Sequence, residues 1–131
     1  MNVYFDENTS LYIARSLDVL ESNKNEIRVF HTKEEFGEGE IDEIIVPQVY
    51  KNNGVLFSQD DDFFKSTLVV EAMKEYPIGF FYFKQPKKTT YWDLVRVYMR
   101  CWLDARNEIL RQKPPYFFEI MSSGTIKKRG V

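Results

Sequence analysis

The feature that most constrains this chain is an alternation of short apolar runs with longer segments of helical spacing. Residues 2–5, Ile27–Phe30, Val55–Phe57 and Ile78–Phe83 read as strands, each followed directly or after a loop by an amphipathic stretch. The last run is apolar throughout, the pattern of a strand covered on both faces. The first helix is capped by Thr9 or Ser10 and runs to about Leu20, with Leu11, Ala14, Leu17, Val19 and Leu20 as its stripe. Residues 32–40 are acidic with two glycines, which predicts a loop or a short helical turn. A second helix follows Asp42 through Ile44, Ile45, Val46 and Val49; Pro47, which lacks an N–H, sets its regular start near itself. A third spans about Asp62 to Glu75. The longest opens at a Thr90/Asp93 capping box and ends by Lys113, before Pro114-Pro115, with Tyr91, Leu94, Val95, Tyr98, Trp102, Ala105 and Ile109 on its buried side. Tyr116–Met121 and Thr125–Lys128 predict a hairpin. Short connections and right-handed crossovers then imply an α/β fold: one domain over residues 1–131, a parallel sheet of at least four strands, helices on both faces and a C-terminal hairpin.

In such a sheet the carboxyl ends of the strands share one edge, where ligands bind at a topological switch point. Acids follow two strands at that edge: Asp6-Glu7 after the first and Asp60-Asp61-Asp62 after the third. Two distant clusters can therefore converge on one pocket of oxygen ligands, suited to Mg²⁺ or Mn²⁺ rather than zinc.

Composition narrows the alternatives. Cys101 is the one cysteine and His31 the one histidine, which leaves no disulfide framework and no cysteine zinc site and argues against a Ser-His or Cys-His catalytic pair. Cys101, inside a helical apolar pattern, is expected to be a buried thiol. No apolar run approaches the roughly 18 residues of a membrane span, and the first is too short for a signal peptide, so a cytoplasmic protein with no membrane partner is expected. The formal charge of −2 conceals an asymmetry: residues 1–75 carry −9 and residues 76–131 carry +7. An acidic half able to hold metal beside a basic half able to hold phosphate suits a nucleic-acid enzyme, and equally two ordinary solvated surfaces.

The motifs, taken in order, resemble those of the short PIN-like proteins, relatives of VapC-type toxin ribonucleases. A strand and Asp6-Glu7-Asn8 precede a helix; His31 follows the second strand; Asp42 opens a helix after a Gly-containing turn; Ser58-Gln59-Asp60-Asp61-Asp62-Phe63 stands where the family has Thr-x-Asp-x-Asp-Phe. The resemblance covers residues 1 to about 85 and is loose beyond 90. It implies a three-layer PIN-like fold and a Mg²⁺- or Mn²⁺-dependent endoribonuclease. Its catalytic set would be Asp6, Asp42, Asp60 and Asp62. Asp6 and Asp60 would bind the main ion, and Asp62 and Asp42 would hold a second ion or bind through water. Glu7, Asn8 and Ser58 would support them. Such an enzyme would act on single-stranded or looped RNA, and as a toxin would have a protein antitoxin. Each residue has a plainer reading: Asp6 as a turn residue, Asp42 as an N-cap, Asp61 as a solvated helix start, His31 as a packing residue.

Lys84, Lys87 and Lys88 follow the fourth strand and are the expected phosphate contacts. Tyr82, Tyr91 and Trp92 near them are able to stack on bases or to pack. Trp92 and Met99 lie off the buried stripe of the long helix, which suggests a helix surface for a homodimer or an inhibitor. Two other readings stay open. One is a phosphoacceptor receiver-like domain, loosely echoed by Asp6-Glu7, Asp60 and Lys84-Gln85-Pro86. The other is a non-catalytic PIN-like binding module.

Overall fold

A computed structural model describes residues 1–38, 41–60 and 63–130; at 41, 42, 63 and 64 it describes the backbone alone. Six strands form one sheet: β1 (Asn2–Phe5), β2 (Arg28–His31), β3 (Gly54–Asp60), β4 (Gly79–Lys84), β5 (Tyr116–Ile120) and β6 (Ile126–Arg129). Their order is β2-β1-β3-β4-β5-β6; all neighbours are parallel except the β5–β6 hairpin. The chain leaves β1 for β2 on one side and returns to β3 on the other, so the switch point lies between the carboxyl ends of β1 and β3.

The helices are α1 (Leu11–Glu21), α2 (Thr32–Phe36), α3 (Val46–Lys51), α4 (Phe63–Ala72) and α5 (Tyr91–Arg111). Ser10 caps α1 by accepting from the amides of Tyr12 and Ile13, which frees Thr9 for another role. Thr90 and Asp93 form the expected capping box of α5. A wide π-helical turn, Ile41–Ile45, runs into α3, and α-helical geometry resumes only at Val46-Pro47. Pro47, which has no N–H to donate, falls where π-helical bonding gives way to α-helical bonding.

Strand alternation divides the core. Val3, Phe5, Val55, Phe57, Phe81 and Phe83 face α1 and α5. Tyr4, Leu56, Phe80, Tyr82 and Phe117 face α3 and α4. On the first face, rings in register on four adjacent strands stack: Phe5 on Phe57 at 4.8 Å, Phe57 on Phe81 at 4.5 Å, Phe81 on Phe118 at 5.2 Å. These spacings match the separation of paired strands, about 4.8 Å. Parallel pairing in register thus aligns the rings without further adjustment.

The structure corrects the helix faces in detail. In α1 the buried residues are Ile13, Ala14, Leu17 and Glu21, whereas Val19 and Leu20 are exposed. In α5 Tyr91 is exposed, and Val97 and Cys101 join the buried side. Cys101 is the buried thiol expected, its pKa pushed up to about 12 by burial. Strand β3 runs to Asp60, three residues beyond the apolar run, because Ser58, Gln59 and Asp60 pair with Tyr82, Phe83 and Lys84. Tyr82 is fully buried beside Phe80 and unavailable to a base. Among the described residues no helix is long and apolar enough to cross a membrane.

Candidate active site at the carboxyl edge of the sheet

Asp6 leaves β1 in step with β3: its amide donates to the Phe57 carbonyl at 2.9 Å. The side chain is buried. Ser58 Oγ donates to Oδ2 at 2.5 Å; Thr9 Oγ1, at 3.1 Å, and the Asn8 amide, at 3.2 Å, donate to Oδ1. Burial raises the Asp6 pKa to about 6, and the bonds from Ser58, Thr9 and the backbone only partly offset it. A carboxylate so placed is oriented but short of positive charge.

Asp60, two residues beyond Ser58 on β3, supplies the second acid. Asn8 spans the two, with its backbone on Asp6 and its side-chain amide 3.4 Å from Asp60 Oδ2. Both carboxylates therefore lie within the reach of one residue. The ammonium of Lys65, in the first turn of α4, lies 2.9 Å from Asp60 Oδ2. Its hydrogen bond to Asp60, then the charges of Asp60, Asp6 and Glu7, hold its pKa above the ordinary lysine value.

The floor beneath is a polar network. Tyr98 Oη donates to Gln59 Oε1 at 3.0 Å, and Gln59 Nε2 donates to Gln85 Oε1 at 2.9 Å. The Gln85 amide donates to the Asp60 carbonyl at 2.8 Å, tying the basic loop to β3. Burial, then the Asp6 charge, pushes the Tyr98 phenol well above its usual range. His31 is buried and engaged at both nitrogens. Nδ1 accepts from the Lys33 amide at 3.3 Å, capping α2, so the proton sits on Nε2, 2.9 Å from the Thr9 carbonyl. The ring thereby holds the turn that aims Thr9 at Asp6. Above the floor a cleft of about 520 Å³ is lined by Asn8, Asp60 and Lys65 together with Lys87 and Lys88. Lys88 has φ 65°, a left-handed conformation unusual for a residue with a side chain.

Of the expected site residues, Asp6, Asn8, Ser58 and Asp60 are gathered. Glu7 is exposed at the turn. Asp42 belongs to the wide turn before α3, but its side chain lies outside the described residues, as do Asp61 and Asp62 entirely. Lys87 and Lys88 line the cleft; Lys84 is exposed at the end of β4, in register with Asp60 but not on the cleft wall. The sequence reading missed Lys65, Thr9, Gln59 and Tyr98. Lys65 had a signal: a lysine in the first turn of a helix opposes the macrodipole and calls for an acidic partner. Tyr98 had none, because it is one of many aromatics on a buried stripe.

Among the described residues no three of His, Cys, Asp and Glu gather closely enough to hold a metal ion. The donor chemistry nevertheless fits a hard cation. Asp6 and Asp60 are joined by Asn8, hydroxyls surround Asp6, no sulfur is present, and one cation, the Lys65 ammonium, is already drawn in. A family model described as "PIN like domain" matches residues 1–85, the segment that carries both carboxylates. No curated protein and no solved structure matches the chain. The chain belongs to the PIN-like domain family, whose domains are generally nucleases, and that assignment sets aside the receiver-like alternative.

Proposed function

We propose that this PIN-like domain is a metal-dependent endoribonuclease acting on single-stranded or looped RNA. The observation that supports it most is the bridging of Asp6 and Asp60 by Asn8 at the switch point, where Asn8 and Asp60 line one cleft with Lys87 and Lys88. Asp6 and Asp60 would hold Mg²⁺ or Mn²⁺, with Asp62 as a further ligand and Asp42 as a catalytic carboxylate. The bound ion would polarise a phosphoryl oxygen and lower the pKa of its water.

The chain's own residues have separable tasks. Ser58, Thr9 and the Asn8 amide fix the direction of the Asp6 oxygens, so the carboxylate need not reorganise during reaction. Burial leaves Asp6 seeking a positive neighbour, and Lys65 balances Asp60 until a cation arrives. Lys87 and Lys88 draw the phosphate backbone over the cleft, with Lys84 as an outer contact. A recessed floor favours a flexible single strand over a duplex.

Binding of the ion to the native state raises stability by about 2.7 kcal/mol at a hundredfold excess over Kd. Millimolar Mn²⁺ is thus expected to raise the wild-type melting temperature and to leave Asp6→Asn/Asp60→Asn unmoved. An indifferent wild type contradicts the metal site. A second reading, a non-catalytic RNA-binding module, is favoured by the Lys65–Asp60 ion pair, which already neutralises one acid. It predicts RNA binding insensitive to EDTA and to Asp6→Asn, without cleavage.

A further inference from the structure

The floor of the cleft contains a directed chain of amides that holding metal and phosphate does not require. Tyr98 is fully buried, and burial holds its phenol well above the usual range, so the hydroxyl keeps its proton. That one proton goes to Gln59 Oε1 at 3.0 Å. With its oxygen so engaged, buried Gln59 turns its Nε2 outward and donates to Gln85 Oε1 at 2.9 Å. An amide has its acceptor at one atom and its donors at the other, so the direction set at Tyr98 passes through both glutamines. The Gln85 oxygen faces the floor. Its Nε2, which donates to no described residue, is the atom left for the cleft that Gln85 lines.

We propose that Gln85 reads a nucleobase beside the scissile phosphate and selects bases with an exocyclic keto oxygen, guanine and uracil, over those with an exocyclic amine, adenine and cytosine. This rests on the RNA-cleaving role proposed above and specifies the RNA that the site takes. A glutamine with both ends free pairs with adenine through its oxygen and nitrogen together. Here the oxygen is held by Gln59, and the end facing the cleft only donates. O6 of guanine and O4 of uracil accept from such a group, whereas N6 of adenine and N4 of cytosine bring a second donor to the same place. Two donors brought together are both left unpaired once the base displaces water, a cost that the keto bases avoid.

Two observations place Gln85 near the reacting phosphate. Its backbone amide donates to the Asp60 carbonyl at 2.8 Å, which ties it to the acid proposed to hold the ion. It also shares one cleft with Asp60, Lys87 and Lys88. The lysines would hold the backbone of any sequence, whereas an oriented amide distinguishes base edges. Gln59 and Tyr98 are positioning residues, which act by fixing the direction of the Gln85 amide.

Anisotropy titrations of the Asp6→Asn protein in Mg²⁺, with labelled uridine and cytidine octamers, test this. The two strands carry the same phosphates, so the contribution of the lysines cancels in the ratio of their Kd values. The uridine octamer is expected to bind about 5- to 10-fold more tightly. Adding Gln85→Ala should bring the ratio to about one. Adding Gln85→Glu should invert it, because the outward atom then accepts from N4 of cytosine, while the extra negative charge weakens both strands. Adding Tyr98→Phe, which frees the Gln59 amide to turn, should also lower the ratio, with the fold retained by circular dichroism. Equal binding of the two octamers, a preference for cytidine, or a preference that survives Gln85→Ala overturns the proposal and leaves RNA binding standing. Binding of neither octamer overturns the RNA reading as well.

Discussion

The two ends of the same sheet are built differently. At the amino end a cleft of about 310 Å³ is walled by Met1, Tyr50, Pro77, Ile78, Pro114 and Tyr116. Glycines there admit aromatic rings: a Cβ on Gly79 would sit 2.3 Å from Tyr116 Cζ, and one on Gly54 2.6 Å from the Tyr4 ring. The Tyr116 hydroxyl is the one buried side-chain polar atom without a hydrogen-bond partner among the described residues. At the carboxyl end Asp6, His31, Ser58, Gln59 and Tyr98 are all buried and all partnered. The strands impose one register on both ends, so the contrast comes from side chains. One end fills space, and the other orients a carboxylate whose burial costs stability, which packing alone does not require.

The largest expected effect joins the two ends. Phe57 stacks between Phe5 and Phe81 in the core that both ends share. Phe57→Ala should cost about 4 kcal/mol in denaturant unfolding and loosen both ends together; a loss near zero would uncouple them.

Next comes the carboxyl end alone. With a folded pKa of about 6 against an ordinary 3.8, native Asp6 holds its proton more tightly than the unfolded chain does. The stability this group supplies is fully present below pH 4 and is lost as pH rises through about 6. In metal-free buffer Asp6→Asn should therefore match the wild type in acid and exceed it above pH 7 by up to about 3 kcal/mol. A variant less stable at every pH would mean that the bonds from Ser58 and Thr9 outweigh the burial.

At the amino end Tyr116→Phe removes the unpartnered hydroxyl and should gain about 1 kcal/mol, read as a higher melting temperature with activity unchanged. The smallest stability effect belongs to Lys65→Met, under about 1 kcal/mol because the pair is partly solvated. Its Mn²⁺ affinity by calorimetry should rise, since a competing cation has gone. A fall in affinity would make Lys65 a supporting residue instead.

The contrast between the ends was half legible in the sequence. The parallel sheet, the shared edge of Asp6 and Asp60 and the hairpin follow from alternation and short connections, which are local signals. Two kinds of feature were not legible. The phase of α1 slipped because Val19 and Leu20 are as apolar as Ile13, and only the seating of Glu21 against Arg106 and Trp102 distinguishes the faces. The floor of the site was hidden because Tyr98 and Gln59 meet across 39 positions of sequence, from α5 and β3. Such polar pairs have no period to reveal them. Asp60 itself read as lying after its strand because the apolar run ends at Phe57, whereas the strand goes on through Ser58 and Gln59, polar residues buried in the site.

The most direct test is cleavage of a mixed RNA pool by the purified protein in Mg²⁺ and in Mn²⁺. The account predicts cutting that EDTA stops and that falls at least about 100-fold in both Asp6→Asn and Asp60→Asn, each still folded by circular dichroism. RNA left intact in both metals, or cutting that survives both substitutions, would contradict it.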